Sequence, residues 1–182
     1  MMILEHLIYS TAIAVVFGML YYRTSHREYS WLIIASAYAP DVDVFANALL
    51  KKVGITVLMF GAPIHHGDFH NIAVLAVYAT AVAFVLHPIG IKFRDSLVFA
   101  GVGFAAHLFE DALVFNPGYR FLWPLTMERL GLGWMSYTPD IYGIADREVL
   151  VVGLGLLAGC VVLRTLIEGK GWVRRCFVPH VS

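Results

Sequence analysis

Long apolar runs separated by brief polar punctuation dominate this chain. Leu7 to Tyr22 has only Ser10 and Thr11 as polar interruptions and closes on Arg23, His26 and Arg27. With Met1–Leu4 it approaches the roughly 20 residues that span a bilayer. Trp31 to Leu50 is a second apolar segment, broken in the middle by Pro40. Asn71 to Leu86 is the third and Ser96 to Phe115 the fourth, with the short charged link Lys92–Asp95 between them. Val149 to Ile167 is the fifth, followed by Lys170, Arg174 and Arg175. The pattern predicts an all-α polytopic membrane bundle of about five transmembrane spans. Residues 1–182 form a single integral membrane domain in this reading, with an aromatic-rich loop over 116–146. A loop that long without strong periodicity is usually functional or disordered. Its Tyr119, Phe121, Trp123, Trp134 and Tyr137 suit a membrane–water interface.

Composition strengthens this picture. The 182 residues are 59% hydrophobic, above the usual range for soluble proteins. A formal net charge of zero speaks against nucleic acid as a partner. Cys160 and Cys176 are the only cysteines, so neither a disulfide framework nor a thiolate metal site follows. The N-terminus lacks the positive flank of a secretory signal and carries Glu5 and His6 instead, which predicts an uncleaved first span. Lys and Arg are slightly more numerous on the side holding Arg23, Arg27, Lys92, Arg94 and the C-terminal tail. That bias predicts a multi-pass cell-membrane protein with its N-terminus on the non-cytoplasmic side.

Against this apolar background, certain ionisable residues stand out. They fall in Pro40-Asp41-Val42-Asp43, in His65-His66-Gly67-Asp68-Phe69-His70, and in His107-Leu108-Phe109-Glu110-Asp111. Charged groups at membrane depth are costly, roughly 2.5–3.5 kcal/mol for a mid-bilayer Asp and less nearer the interface. No Lys or Arg lies inside these segments to offset Asp41, Asp43 and Asp111. A divalent cation would; protonation of the acids is the competing escape. His107 and Asp111, four apart on a helix, share one face and can chelate one ion. Asp41 and Asp43 diverge on a regular helix, but Pro40 interrupts it, so both carboxylates can serve one cavity. The bland alternative there is a helix N-cap with an Asp in the first turn. His65 to His70 flanks a Gly turn, and Asp68 and Asn71 can simply cap the next helix. With chain direction reversing at each span, His6, Asp41, Asp43, His65, His70, His107 and Asp111 all reach one membrane face, as does His66. The expected site therefore lies near one interface.

These residues resemble a family, the membrane-bound metal-dependent hydrolases of the YdjM type. Its pattern runs early His, Pro-Asp-x-Asp, His-Arg-Gly-x-Thr-His-Ser, His-x-x-x-Asp, then Trp-Pro. The matching positions are His6, Pro40 to Asp43, His65 to Asn71, His107 to Asp111, and Trp123-Pro124. His66, Phe69 and Asn71 depart from it, standing where the family has Arg, Thr and Ser. The resemblance implies a hydrolase acting on a phosphoester, with a ligand set similar to that of zinc-dependent phospholipase C enzymes.

Seven candidate ligands (His6, Asp41, Asp43, His65, His70, His107, Asp111) exceed one four-coordinate site. We expect two or more ions bridged by a carboxylate such as Asp41 or Asp111. Zinc suits imidazole with carboxylate, and manganese or iron are alternatives. Asp43 or Glu110 is the expected proton acceptor, while His66 and Trp123 are expected to bind substrate. A site at headgroup depth points to a phospholipid or lipid-linked phosphate. Two rivals use the same residues: a metal-ion or proton-coupled transporter, and a structural protein whose metal staples its helices.

Overall fold

The computed structural model describes residues 3–177. Its helices are α1 (Ile3–Ser25), α2 (Ser30–Ser36), α3 (Val42–Lys52), α4 (Ile72–Leu86), α5 (Phe93–Val114), α6 (Arg147–Glu168) and α7 (Trp172–Phe177). A minimal antiparallel hairpin, β1 (Leu58–Met59) with β2 (Ala62–Pro63), interrupts the long link after α3. Among the described residues, four helical stretches are long and apolar enough to cross a membrane: Leu4–Ser25, Ile72–Ile89, Phe93–Val114 and Arg147–Glu168.

The second expected span is instead two short helices of seven and eleven residues. Pro40 accounts for the break. It has no N–H to offer the Ser36 carbonyl four residues back, so α2 ends at Ser36. The Ser36 carbonyl accepts from Ala39 N–H at 3.1 Å instead. Asp41 then takes the N-cap position of α3, and Asp43 falls in its first turn.

Helices α1 and α5 form the centre, with 56% of each apolar window buried, against 11% for α4 and α6. The outer pair presents Val77, Phe84 and Val85, and Val151, Val162 and Leu166, on exposed faces; lipid would cover such surfaces. Phe99 of α5 is fully buried and meets Phe17, Tyr21 and Tyr29 edge-on at 5.4, 4.9 and 5.7 Å. Helix α2 lies tight on α5 at Gly103, where a Cβ would sit 2.3 Å from the Ile33 carbonyl oxygen. Small residues at such crossings let helix backbones touch.

At the end of the bundle where α1 finishes and α5 begins, acids meet arginines. Arg164 pairs with Glu28, both fully buried, and donates to the Val15 carbonyl at 3.0 Å. Arg27 pairs with Asp95 at 3.1 Å. At the opposite end, the 116–146 loop is fastened to helix termini. Phe121 and Trp123 carbonyls accept the Ile72 and Ala73 N–H groups opening α4, and Leu132 N–H caps the Ala112 carbonyl of α5. Glu5 holds the loop's far side, accepting from Tyr137 O–H at 2.8 Å and from Asp146 N–H at 2.6 Å.

Candidate metal centre

The interruption at Pro40 shapes the site. With no helical turn after Ala37, its carbonyl is left without an intrahelical partner and accepts the Nδ1–H of His107 at 2.7 Å. A carbonyl only accepts, so the proton of neutral His107 sits on Nδ1 and Nε2 carries the lone pair. His6 is fixed the same way. Its Nδ1–H donates to Glu110 Oε2 at 2.7 Å, and Ser10 O–H donates to the other Glu110 oxygen at 2.8 Å. The two imidazoles stack, with ring centroids 3.8 Å apart. A hydrogen-bonded Nδ1 that aims a bare Nε2 is how metal-ligating histidines are held.

Both Nε2 atoms face Asp111. Its Oδ1 is 3.4 Å from His6 Nε2, and its Oδ2 is 3.6 Å from His107 Nε2 and 3.3 Å from His70 Nε2. Asp41 Oδ1 lies 3.4 Å from His70 Nε2 and 3.5 Å from His107 Nε2, and those two nitrogens are 3.1 Å apart. Asp41 and Asp111 thus each form a triangle with the same two nitrogens of His70 and His107, every edge lying between 3.1 and 3.6 Å. A tetrahedral zinc with arms of about 2.0–2.1 Å sets its donors about 3.3–3.4 Å apart. The residues present fit such an ion. Two triads also keep one donor atom each within 4.8 Å: His6 with His107 and Asp111, and Asp41 with His66 and His70. Asp111 turns one oxygen to each side, the disposition of a bridging carboxylate.

Asp41 occupies the N-cap of α3 yet makes no side-chain cap bond; its carboxylate serves the cluster. Asp43 is fully buried and anchors the next loop, accepting from Gly67 N–H at 2.8 Å and Phe69 N–H at 3.4 Å. Gly67 makes that approach at φ +97°, which side-chain-bearing residues rarely adopt. His66 Nδ1 lies 3.3 Å from Asp43 Oδ1. Burial works against the Asp43 charge, but His66, His70 and the Gly67 N–H outweigh it and hold the carboxyl well below its usual range. The carboxylate in turn raises His66. Burial likewise disfavours a charged His70, yet the surrounding carboxylates of Asp111, Asp41 and Asp43 push it up to about 10. The cavity favours positive charge. His70 Nδ1 is buried without a hydrogen-bond partner, 3.7 Å from Asp43 Oδ2.

Of the ten residues singled out from the sequence, His6, Asp41, Asp43, His66, His70, His107, Glu110 and Asp111 form one contiguous group. His65 turns to Asp68, donating from Nδ1 to Oδ2 at 2.6 Å, and is exposed. Asp68, three residues on, closes a tight turn that takes this imidazole. Trp123 lies outside the cluster, edge-on to Phe60 at 5.5 Å. Asn71 caps α4 by accepting from Val74 N–H at 3.0 Å. Sequence reasoning left Ser10 as a mere interruption, although it stands one turn from His6 on the same helix face. Tyr119 was read only as an interfacial aromatic. Its ring packs 4.5 Å from that of His70, with its hydroxyl 3.3 Å from His66 Nε2.

No curated protein and no solved structure matches the chain. One family model does, described as YdjM inner membrane protein, over residues 1–171. A match of that extent, on a chain with four membrane-length helices, means that this protein belongs to the YdjM inner membrane protein family.

Proposed function

We propose that this protein is a membrane-embedded metal-dependent hydrolase that cleaves a phosphoester of a phospholipid or lipid-linked phosphate. The observation that supports this most is that Asp41 and Asp111 each lie within 3.3–3.6 Å of the paired Nε2 atoms of His70 and His107, donor spacings that suit a zinc ion. His6 groups with His107 and Asp111, and His66 with Asp41 and His70, each triad offering one donor atom per residue within 4.8 Å. Zinc matches this mixed imidazole and carboxylate set. When bound, such an ion supplies Lewis acidity and brings the pKa of a coordinated water towards neutrality.

The chain's own groups divide the remaining work. Glu110 is occupied with His6 and Ser10, so it positions a ligand. Asp43 and His66 handle the proton together: the carboxylate, 3.3 Å from His66 Nδ1, orients the imidazole, which is half-exposed and passes the proton to solvent. Tyr119 and the rest of the 116–146 loop exclude water from the inner face of the cluster. We assign the site to the non-cytoplasmic side, a reading supported by the slight Lys and Arg bias of the sequence.

The test is release of phosphate or headgroup from a panel of phospholipids by purified protein, with and without a chelator. Activity should vanish on chelation and return with zinc. Asp43→Asn should keep its metal and fold while losing about 10²–10⁴-fold in turnover. Metal-loaded protein that releases nothing from any lipid would count against the proposal.

A further inference from the structure

A small cleft adjoins the cluster, lined by His65, His66, Asp68, Tyr119, Arg120 and Arg129. His66 and Tyr119 are shared between cleft and cluster, since His66 contacts Asp43 and Tyr119 packs on His70. The two arginines are brought together by the loop. Tyr119 and Leu130 form an antiparallel bridge, with Leu130 N–H donating to the Tyr119 carbonyl at 3.0 Å. Arg120 and Arg129 are the next positions inward on its two arms. Like charges set opposite one another destabilise a paired backbone.

Four of the seven other arginines pair with acids: Arg27 with Asp95, Arg147 with Asp140, Arg164 with Glu28, and Arg175 with Glu168. Among the described residues, neither Arg120 nor Arg129 has a carboxylate at ion-pair distance. Asp68 is in the cleft, but its Oδ2 is taken by the side chain and backbone N–H of His65, at 2.6 and 3.0 Å. Arg120 is held with its guanidinium 4.6 Å over the Phe60 ring, and its Nε is buried without a hydrogen-bond partner. A stacked arginine with an unused donor beside a second arginine is a fork prepared for a tetrahedral anion.

We propose that this cleft is the phosphate-recognition subsite of the centre. Arg120 and Arg129 would grip the non-bridging oxygens of a phosphomonoester or phosphodiester and present its phosphorus to the His66 side of the cluster. The assignment rests on the phosphoester reading above and names the residues that select the group.

The experiment is calorimetric titration of inorganic phosphate into the full-length protein in phosphatidylcholine nanodiscs. Metal content is measured in parallel, and the titration is repeated after chelation. Arg120→Ala and Arg129→Ala should each raise the Kd for phosphate about tenfold or more with metal content unchanged. Arg120→Lys should recover only part of the loss, because a lysine lacks the planar fork. Variants that bind phosphate as tightly as the parent, or a parent that binds none, would overturn the subsite. A parent that carries no metal yet binds phosphate through these arginines would sink the hydrolase reading alone. Nanodiscs containing phosphatidic acid separate the sources. Competition against inorganic phosphate upholds the subsite with a lipid-borne phosphate, and lack of competition upholds it with a soluble one.

Discussion

Replacing Asp111 with Asn preserves the shape of the side chain and removes its charge. The carboxylate has one oxygen 3.4 Å from His6 Nε2 and the other 3.3 and 3.6 Å from His70 and His107 Nε2. Because the Nδ1 protons of His6 and His107 are already committed to Glu110 and Ala37, both Nε2 atoms are acceptors. Two acceptors facing each other at these distances are brought into attraction by a cation between them, either a metal ion or an extra proton. An amide at position 111 supplies its own N–H to one of those lone pairs, so the metal-free cluster tolerates the change. A metal site does not. Structural zinc sites bind with about 10–16 kcal/mol, or about 2.5–4 kcal/mol per ligand over four ligands. Losing one ligand therefore weakens binding by roughly 10²–10³-fold.

The assay is metal content by mass spectrometry together with thermal unfolding in detergent, with and without EDTA. A protein holding its ion at a thousand times Kd gains about 4 kcal/mol of stability. At about 2–4 °C per kcal/mol for a chain of this size, chelation should lower the Tm of the parent by roughly 8–16 °C. Asp111→Asn should melt near the chelated parent and ignore EDTA. A parent that is indifferent to EDTA, with Asp111→Asn melting below it, would mean that protons rather than metal fill the cluster.

Three further outcomes are expected. Glu110→Gln leaves His6 without its carboxylate partner and should reduce metal affinity about 10–100-fold, read by competition with a chromogenic chelator; unchanged affinity would remove Glu110 from its positioning role. Arg164→Met strands the fully buried Glu28 and should cost about 3–5 kcal/mol, visible as a lower Tm with full metal content per folded protein. If metal were lost as well, the two ends of the bundle would be coupled. Gly103→Ala puts a Cβ 2.3 Å from the Ile33 carbonyl, forcing α2 off α5 at about 1–3 kcal/mol. Since α2 carries the Ala37 carbonyl that orients His107, metal affinity should fall with stability; a variant as stable and metal-replete as the parent would contradict the packing.

The helical pattern and most of the cluster were legible in the sequence because the relevant signals are local. Apolar runs of membrane length, Pro40, and the i,i+4 pair His107–Asp111 each declare themselves within a few residues. What was not legible depends on distant partners. Trp31 to Leu50 reads as one span by hydropathy, yet α3 exposes Phe45 and Leu49, and the proline break leaves two helices too short to cross alone. His65 and His70 look equivalent as residues flanking a glycine turn. Only the folded turn shows Asp68 claiming one while the other faces Asp41 and Asp111. Glu28 and Arg164 lie 136 positions apart, and nothing near either one announces the other.

That distant pair also bears on how the cluster is neutralised. This chain buries acids at both ends of its bundle. At the α1 C-terminal end it gives each one a permanent cation: Arg164 for Glu28, Arg27 for Asp95. At the other end Asp41, Asp43, Glu110 and Asp111 crowd together, and among the described residues the cationic side chains at ion-pair distance from them are imidazoles, whose charge is optional. Evolution of a merely stable bundle has no reason to treat the two ends differently, since an arginine neutralises either. An arginine among His6, His70 and His107 would fill the space between the donors and repel any incoming cation. Surrounding these carboxylates with side chains of optional charge, two of them imidazoles held by Nδ1 so that Nε2 faces Asp111, makes sense when a cation is to be admitted among them.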